Sequence, residues 1–392
     1  MKRYSGVGFN SYVYTARRED MCDTREAKSP DITAMKTIPV GKAVGMVLAH
    51  DVTEIRKDEF KGRAFKKGHI IRAEDIDHFR KLGKEHLFVL SLGSDEIHED
   101  DAALALAYAI MGVGVRIEGE SREGKINIIS GRDGLLKVNR DALLEFNMLG
   151  DVMCATRHGN TVVKKGRVVA GTRAIPLVVK RGIIEEAISI SERARSSGAP
   201  LVEVKELRKP KAGIVITGNE VYYGKIRDAF ASVITKKIEE FGGDVVGIYY
   251  APDDAVFIEQ RLRELVNAGA DLLIATGGMS VDPDDVTRFA IRNLGADDMT
   301  YGSAVLPGAM VLVAYLSKEH EIEGMEQESS AMIPILGIPA CGMYHKITVF
   351  DLLLPRVLAG DKIGRRELAE LGHGGLCLNC KTCRYPVCPF GK

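Results

Sequence analysis

The stretch LIATGGMSVDPDD, Leu273–Asp285, decides how this chain is read: an apolar run stops at a glycine pair and gives way to three aspartates. Two residues earlier the run starts as DLLIAT (Asp271–Thr276), unbroken in its apolar character as a strand buried on both faces of a parallel sheet is. Upstream, AGIVIT (Ala212–Thr217) continues as IVITGNE (Ile214–Glu220) and ends in the same style. Between the two lie Phe230, Val233, Ile234, Ile238 and Phe241, one apolar stripe at helical spacing, closed by Gly242 and Gly243. Val245–Tyr250 reads as another strand, and Ile258, Leu262, Leu265 and Val266 mark another helix. Strands alternating with helices demand crossovers, so residues 206–361 are expected to form a three-layer α/β/α domain with a mostly parallel sheet.

A length of 392 residues suggests two or three domains at roughly 150 residues each. Apolar residues make up 45% and charged residues 28%, enough of a core to exclude a disordered chain. The 54 basic residues cancel the 54 acidic ones, so no global field draws the protein to nucleic acid or to anionic lipid, and neither partner is expected. The longest apolar run, about 304–316, falls well short of the roughly 20 residues of a membrane span. The N-terminal segment lacks the apolar core of a secretory signal, and a cytoplasmic location is the expectation.

Residues 1–34 show neither helical nor strand periodicity and read as a disordered leader, with Met35 as the expected start of the protein. IPVGKAVGMVLAHDV (Ile38–Val52) opens an α+β unit spanning 35–91, in which Ile76, Phe79 and Leu82 give a helix that Gly83 stops. His69, His78 and His86 stand nine and eight residues apart, which places no two on one helical face, and they are read as packing or surface residues. Residues 92–205 read as a β-rich domain with an alanine-rich helix over 100–111 and another helix over 182–194. The polar stretch SERARSSGAP leads to a domain boundary between 195 and 210.

In open parallel sheets ligands bind at the carboxyl ends of strands, which is where both glycine loops belong. Gly277 and Gly278 would let backbone amides approach an anion, with a helix starting near Pro283 aimed at it; alternatively the pair only turns the chain. Asp282, Asp284 and Asp285, with Glu220 on the neighbouring loop, suit a divalent cation or ligand hydroxyls beside a phosphate. Helix capping is the rival reading for one of them.

Taken in order, Thr217, Gly218, Asn219 and Glu220, then Thr276, Gly277, Gly278, Ser280 and Asp285, then LGIPA (Leu336–Ala340), resemble the loops of the molybdopterin-binding domain shared by molybdopterin molybdenumtransferases and gephyrin-like proteins. The resemblance implies a molybdenum cofactor biosynthesis protein whose ligand is molybdopterin or its adenylate. It assigns Thr217, Gly218, Asn219, Thr276, Gly277, Gly278, Ser280 and Pro339 to ligand binding, with Asp253 and Asp254 as a further acidic pair on the rim. Glu220 and Asp285 would place Mg²⁺ or molybdate and so act in catalysis, while a homo-oligomer and a molybdoenzyme or other cofactor-pathway protein are the implied partners. The chain departs from the family at Asp282, where a glycine is usual, and at Pro307–Met310, where the PGKP lysine is replaced. No SAMDGYA-like stretch follows the opening residues, which favours a second reading, a non-catalytic carrier or sensor. A third reading is a hydrolase acting on a nucleotide-like ligand.

Four of the seven cysteines, Cys377, Cys380, Cys383 and Cys388, crowd into the last sixteen residues as C-x2-C-x2-C-x4-C-P. Four thiolates so spaced can surround an iron–sulfur cluster or one Zn²⁺. Cys22, Cys154 and Cys341 are solitary; Cys341 falls on the expected ligand rim, where a small buried filler is its simplest role.

Overall fold

The computed structural model describes residues 35–56, 60–90, 93–279, 285–317 and 332–391. The described residues fall into two compact units, which divide between Glu96 and Ile97. In the first, β1 (Met35–Pro39), β2 (Val47–Leu48), β3 (Val52–Arg56), β4 (Phe60–Phe65), α1 (Asp75–Lys81) and β5 (His86–Leu90) follow in order. β5 lies between β1 and β2, all antiparallel, and β3 pairs antiparallel with β4. Val40, Leu48, Val52, Phe65, Ile71, Phe79 and Leu87 form their core. The expected helix is present, its C-cap at Leu82 followed by Gly83 at φ +72°. His69 Nε2 meets Asp75 at 2.6 Å and His78 Nε2 meets Glu54 at 3.2 Å, and both rings pack against Phe65.

β6 (Glu96–His98) crosses into the second unit, which continues with α2 (Glu99–Ile110), β7 (Val115–Arg122), β8 (Lys125–Ser130), β9 (Gly134–Val138), α3 (Arg140–Asn147), β10 (Val152–Thr156), β11 (Thr161–Val163), β12 (Val168–Ala174), β13 (Val178–Lys180), α4 (Arg181–Ser196) and β14 (Val202–Lys205). Strands in the order β10-β12-β8-β7 make one antiparallel sheet and β11-β9-β14 another, with α2 and α4 packed over a shared core. The polar stretch at 191–200 is not a linker: α4 runs through Ser196, Ser191 is buried, and Leu201, Val202 and Val204 are wholly buried. Ser191 tolerates burial because its hydroxyl donates to the Ala187 carbonyl one turn back, at 2.8 Å.

Then follow β15 (Lys211–Thr217), α5 (Asn219–Tyr222), α6 (Phe230–Glu239), β16 (Asp244–Ala251), α7 (Ala255–Asn267), β17 (Leu272–Thr276), α8 (Thr287–Asn293), β18 (Asp297–Tyr301), β19 (Leu312–Ser317), β20 (Met332–Ile338), α9 (Val349–Leu358) and α10 (Arg365–Glu370). Six strands form one sheet in the order β16-β15-β17-β20-β19-β18. β16, β15, β17 and β20 run parallel, and β19 and β18 close the edge as antiparallel strands. Successive side chains point to opposite faces. Ile214, Ile216, Leu272, Ile274 and Leu336 meet α6 and α9, while Val215, Leu273, Ala275 and Ile335 meet α7 and α8. The result is the expected α/β/α layering, with β17 buried along its whole length.

Among the described residues no helix is long and apolar enough to cross a membrane.

Candidate functional site

The connection that leaves β15 packs α6 on one face of the sheet, and the connection that leaves β17 packs α8 on the other. Because β15 and β17 are neighbours and their connections turn to opposite faces, their carboxyl ends mark the switch point of the sheet, the place of the crevice in which doubly wound sheets bind ligands.

Hydrogen bonds among three threonines hold the floor of this crevice. Thr217 Oγ1 donates to the Thr276 carbonyl at 2.8 Å, across the two strand ends. That uses its single proton, so the Thr287 hydroxyl, 3.1 Å away, is the donor of the second bond. The packing explains both glycines. Gly277 has φ +82°, and a Cβ there would lie 2.5 Å from the Thr217 carbonyl oxygen; at Gly278, φ +56°, it would lie 2.3 Å from Thr287 Oγ1. Only glycine lets the loop after β17 close on its neighbours. The Gly277 N–H points to the Ile338 carbonyl at 3.4 Å, so this amide is turned toward the protein's own backbone.

On the other side Gly218, φ +137°, opens α5, and the Glu220 carboxylate folds back over it, 2.8 Å from where a Cβ would stand. Glu220 is exposed. Asn219 and Asp253 clasp the loops after β15 and β16: the Asn219 N–H donates to Asp253 Oδ2 at 3.0 Å, and the Asp253 N–H to Asn219 Oδ1 at 3.3 Å. Asp254 caps α7, accepting from the Phe257 N–H at 2.8 Å. The order P-D-D before a helix carries that capping signal in the sequence.

Helix α8 starts at Thr287, four residues beyond the expected Pro283, and its N-cap is Val286, which makes no side-chain cap. Asp285 stands just ahead of it, half-buried. Ser280, Asp282 and Asp284 lie outside the described residues. Pro339 is buried at the end of β20 and opens a short 3-10 turn, Ala340–Met343, that carries Cys341. Burial raises the Cys341 thiol pKa. Pro307–Met310 precedes β19 at the same sheet edge, since Leu312 pairs with Gly337; the Val349 N–H donates to the Pro307 carbonyl at 3.2 Å. The switch point thus gathers Thr217–Glu220, Thr276–Gly278 and Pro339 at one edge, with Asp253 and Asp254 supporting the rim, and Asp285 stands two residues before Thr287.

The four tail cysteines do not surround a common point: among the described residues no three His, Cys, Asp or Glu side chains are grouped to hold a metal. Cys377 and Cys388 pack against the α6/α9 core, and Cys380 and Cys383 are exposed. Cys154 is buried, its thiol pKa pushed up to about 12 by burial. Cys22 lies outside the described residues.

The fold is that of a doubly wound α/β domain. Residues 213–358 match the family described as "Probable molybdopterin binding domain", the family that the loops resemble, and residues 37–91 match a domain of unknown function, DUF8806. A CinA-like protein of Mycobacterium avium (strain 104) is 37% identical over 92 residues, 22% of this chain and 21% of that protein. A protein of Pyrobaculum calidifontis is 32% identical over 131 residues, 33% of this chain and 48% of its own length. The chain therefore spans between a fifth and a half of these curated relatives. Among solved structures, the tungsten cofactor synthesizing protein MoaB of Pyrococcus furiosus is 16% identical, covering 38% of this chain and 90% of that one, with a TM-score of 0.28.

Proposed function

We propose that residues 206–361 bind molybdopterin or its adenylate in the crevice between β15 and β17, and that the chain serves molybdenum cofactor biosynthesis. The observation that carries this reading is the meeting of the Thr217–Glu220 and Thr276–Gly278 loops at the switch point of a domain that matches the molybdopterin-binding family. In this reading the terminal phosphate sits by Gly278, because the Gly277 amide is turned to Ile338. Thr217 and Thr276 hold the two loops at a fixed spacing, so little reorganisation is needed when the ligand enters. Glu220, which is exposed, and Asp285, which is half-buried, supply the carboxylates for Mg²⁺ or molybdate. Bound there, a divalent cation would offset phosphate charge and polarise the oxyanion.

Molybdate insertion is the finer claim within this proposal, and it assigns Glu220 and Asp285 an electrostatic role with no covalent intermediate. The carrier reading is favoured by one observation, the lack of a SAMDGYA-like stretch.

Anaerobic purification followed by oxidation of bound pterin to its fluorescent form tests the proposal. The expected result is pterin fluorescence from the native chain, reduced at least tenfold in Asp285→Ala. A chain that carries none and takes up none on addition of molybdopterin overturns it. Turnover of ADP-ribose or nicotinamide mononucleotide by such a chain would establish the hydrolase reading instead. With pterin bound, molybdate-dependent turnover that Glu220→Gln abolishes separates insertion from carriage.

A further inference from the structure

Beyond α10 the chain runs from 371 to 391 with no helix or strand of its own, yet it is not loosely held. The Gly391 N–H donates to the Gly374 carbonyl at 2.9 Å and so closes the segment into a loop. At its start, Leu306 and Leu376 form a parallel bridge: the Leu306 N–H donates to Gly375 and the Cys377 N–H donates to Leu306, each at 2.8 Å. Near its end, Phe390 is buried and Tyr385 packs on the same core, with Cys377 and Cys388 beside them. A long ordered loop without regular structure is uncommon in a compact domain and usually serves a function.

The two anchored thiols and the two exposed ones divide the tasks of a metal site. Cys377 and Cys388 are fixed by packing, and Cys380 and Cys383 bury little where they are and lose little by moving. A three-residue step spans up to about 10 Å when extended. Sulfurs bound at about 2.3 Å to one metal stand roughly 4 Å apart, so the steps from Cys377 to Cys380 and on to Cys383 are long enough. Asn379 is already in the left-handed region at φ +49°, which bends the chain between them, and its Oδ1 meets His345 Nδ1 at 3.1 Å. None of the four is in a disulfide.

We propose that Cys377, Cys380, Cys383 and Cys388 form a tetrathiolate site for a thiophilic metal, Zn²⁺ or an iron–sulfur cluster, in which Cys380 and Cys383 swing onto the anchored pair. Binding releases the thiol protons to water and replaces them with metal–sulfur bonds. The site joins the loops at Leu306 and His345, both on the sheet edge that holds the crevice, so the metal acts as a clasp on that edge.

The test uses the full chain, purified anaerobically, with metal and acid-labile sulfide measured per chain. About one Zn²⁺ without sulfide, or about four irons with four sulfides and a broad visible absorption, supports the site and tells the two metals apart. Metal-free reduced chain is then offered Zn²⁺ alone, and alkylation of each cysteine is followed by mass spectrometry. Protection of the four tail thiols at one equivalent, with Cys341 alkylated as before, is the expected outcome. Failure to take up one equivalent of Zn²⁺ in a chain isolated without metal, or protection that leaves out any of the four, overturns it. Cys380→Ser/Cys383→Ser replaces exposed side chains and should lower metal content at least tenfold, whereas Cys341→Ser should leave it unchanged.

Discussion

Asp361 shows how one residue can join two parts of the second unit. Its carboxylate accepts from Lys137 of β9 at 2.6 Å and from Arg356 of α9 at 3.2 Å, with Lys205 of β14 at 3.8 Å. Burial would raise this carboxyl, but Lys137 and Arg356 outweigh it and hold the pKa below the usual carboxylate range. The lowered value means that its stabilisation is present above the unfolded pKa of about 4 and is lost as the pH falls from there through the folded value. Asp361→Asn should therefore cost about 3 kcal/mol at neutral pH and flatten the acid limb of the stability curve, both measurable by urea titration from pH 7 to 3. A curve parallel to that of the native chain would show the charge to be idle. Gly277 makes a second prediction. Gly277→Ala meets both a positive φ and the Thr217 carbonyl, while Gly269→Ala, φ +90°, meets only the positive φ with nothing within 4 Å. The first should lower stability by about 1–3 kcal/mol more than the second and weaken pterin binding with it. Equal losses would mean that the loop contact yields freely.

At the scale of elements, α9 carries its own start signal and a large share of the core. Thr348 Oγ1 accepts from the Phe350 N–H at 3.2 Å, and Asp351 accepts from the Thr348 N–H at 2.7 Å, a capping box whose Asp351 also pairs with Lys237 of α6. Thr348→Ala should cost about 1 kcal/mol, read as a lower urea midpoint with unchanged slope. A changed slope would instead point to a broader rearrangement. β17 and α6 were legible in the sequence because their environments impose one period each: Leu272–Thr276 is buried on both sides, and Phe230, Ile234 and Ile238 bury a single stripe. α3 was not, because only Ala142 and Phe146 are buried in it, and its clearest signal is Asn139, which caps it by accepting from the Ala142 N–H at 3.1 Å. β14 was hidden by its charges: Val202 and Val204 face the core while Glu203 and Lys205 alternate outward, a strand pattern only four residues long. For the crevice, the glycine positions were legible but not their reason, since the contacts with Thr217 and Thr287 join residues about 60 and 10 positions apart. Asp254, read as an acidic rim residue, shows that a capping aspartate and a ligand aspartate look alike until the helix is placed.

For the whole molecule, the first unit has a core of its own around Phe79, which stacks on Phe65 at 4.0 Å between ring centroids. Phe79→Ala should cost about 3–5 kcal/mol, and hydrogen exchange should show the loss across residues 35–90. Retained protection there would mean that this core carries less of the unit's stability than its burial implies. In the second unit Ile363, Leu368 and Phe390 belong to the same core as Ile214 and Leu336, although they lie beyond residue 358, where the family match ends. Ile363 is further held by its N–H, which donates to the Tyr315 hydroxyl at 2.6 Å. A cloning boundary placed at that family limit would cut through the fold and strip these three side chains from the core they share with α6 and α9. For laboratory fragments, and for any recombination event that shuffles this domain, the cysteine segment and the sheet travel as a single inheritable piece.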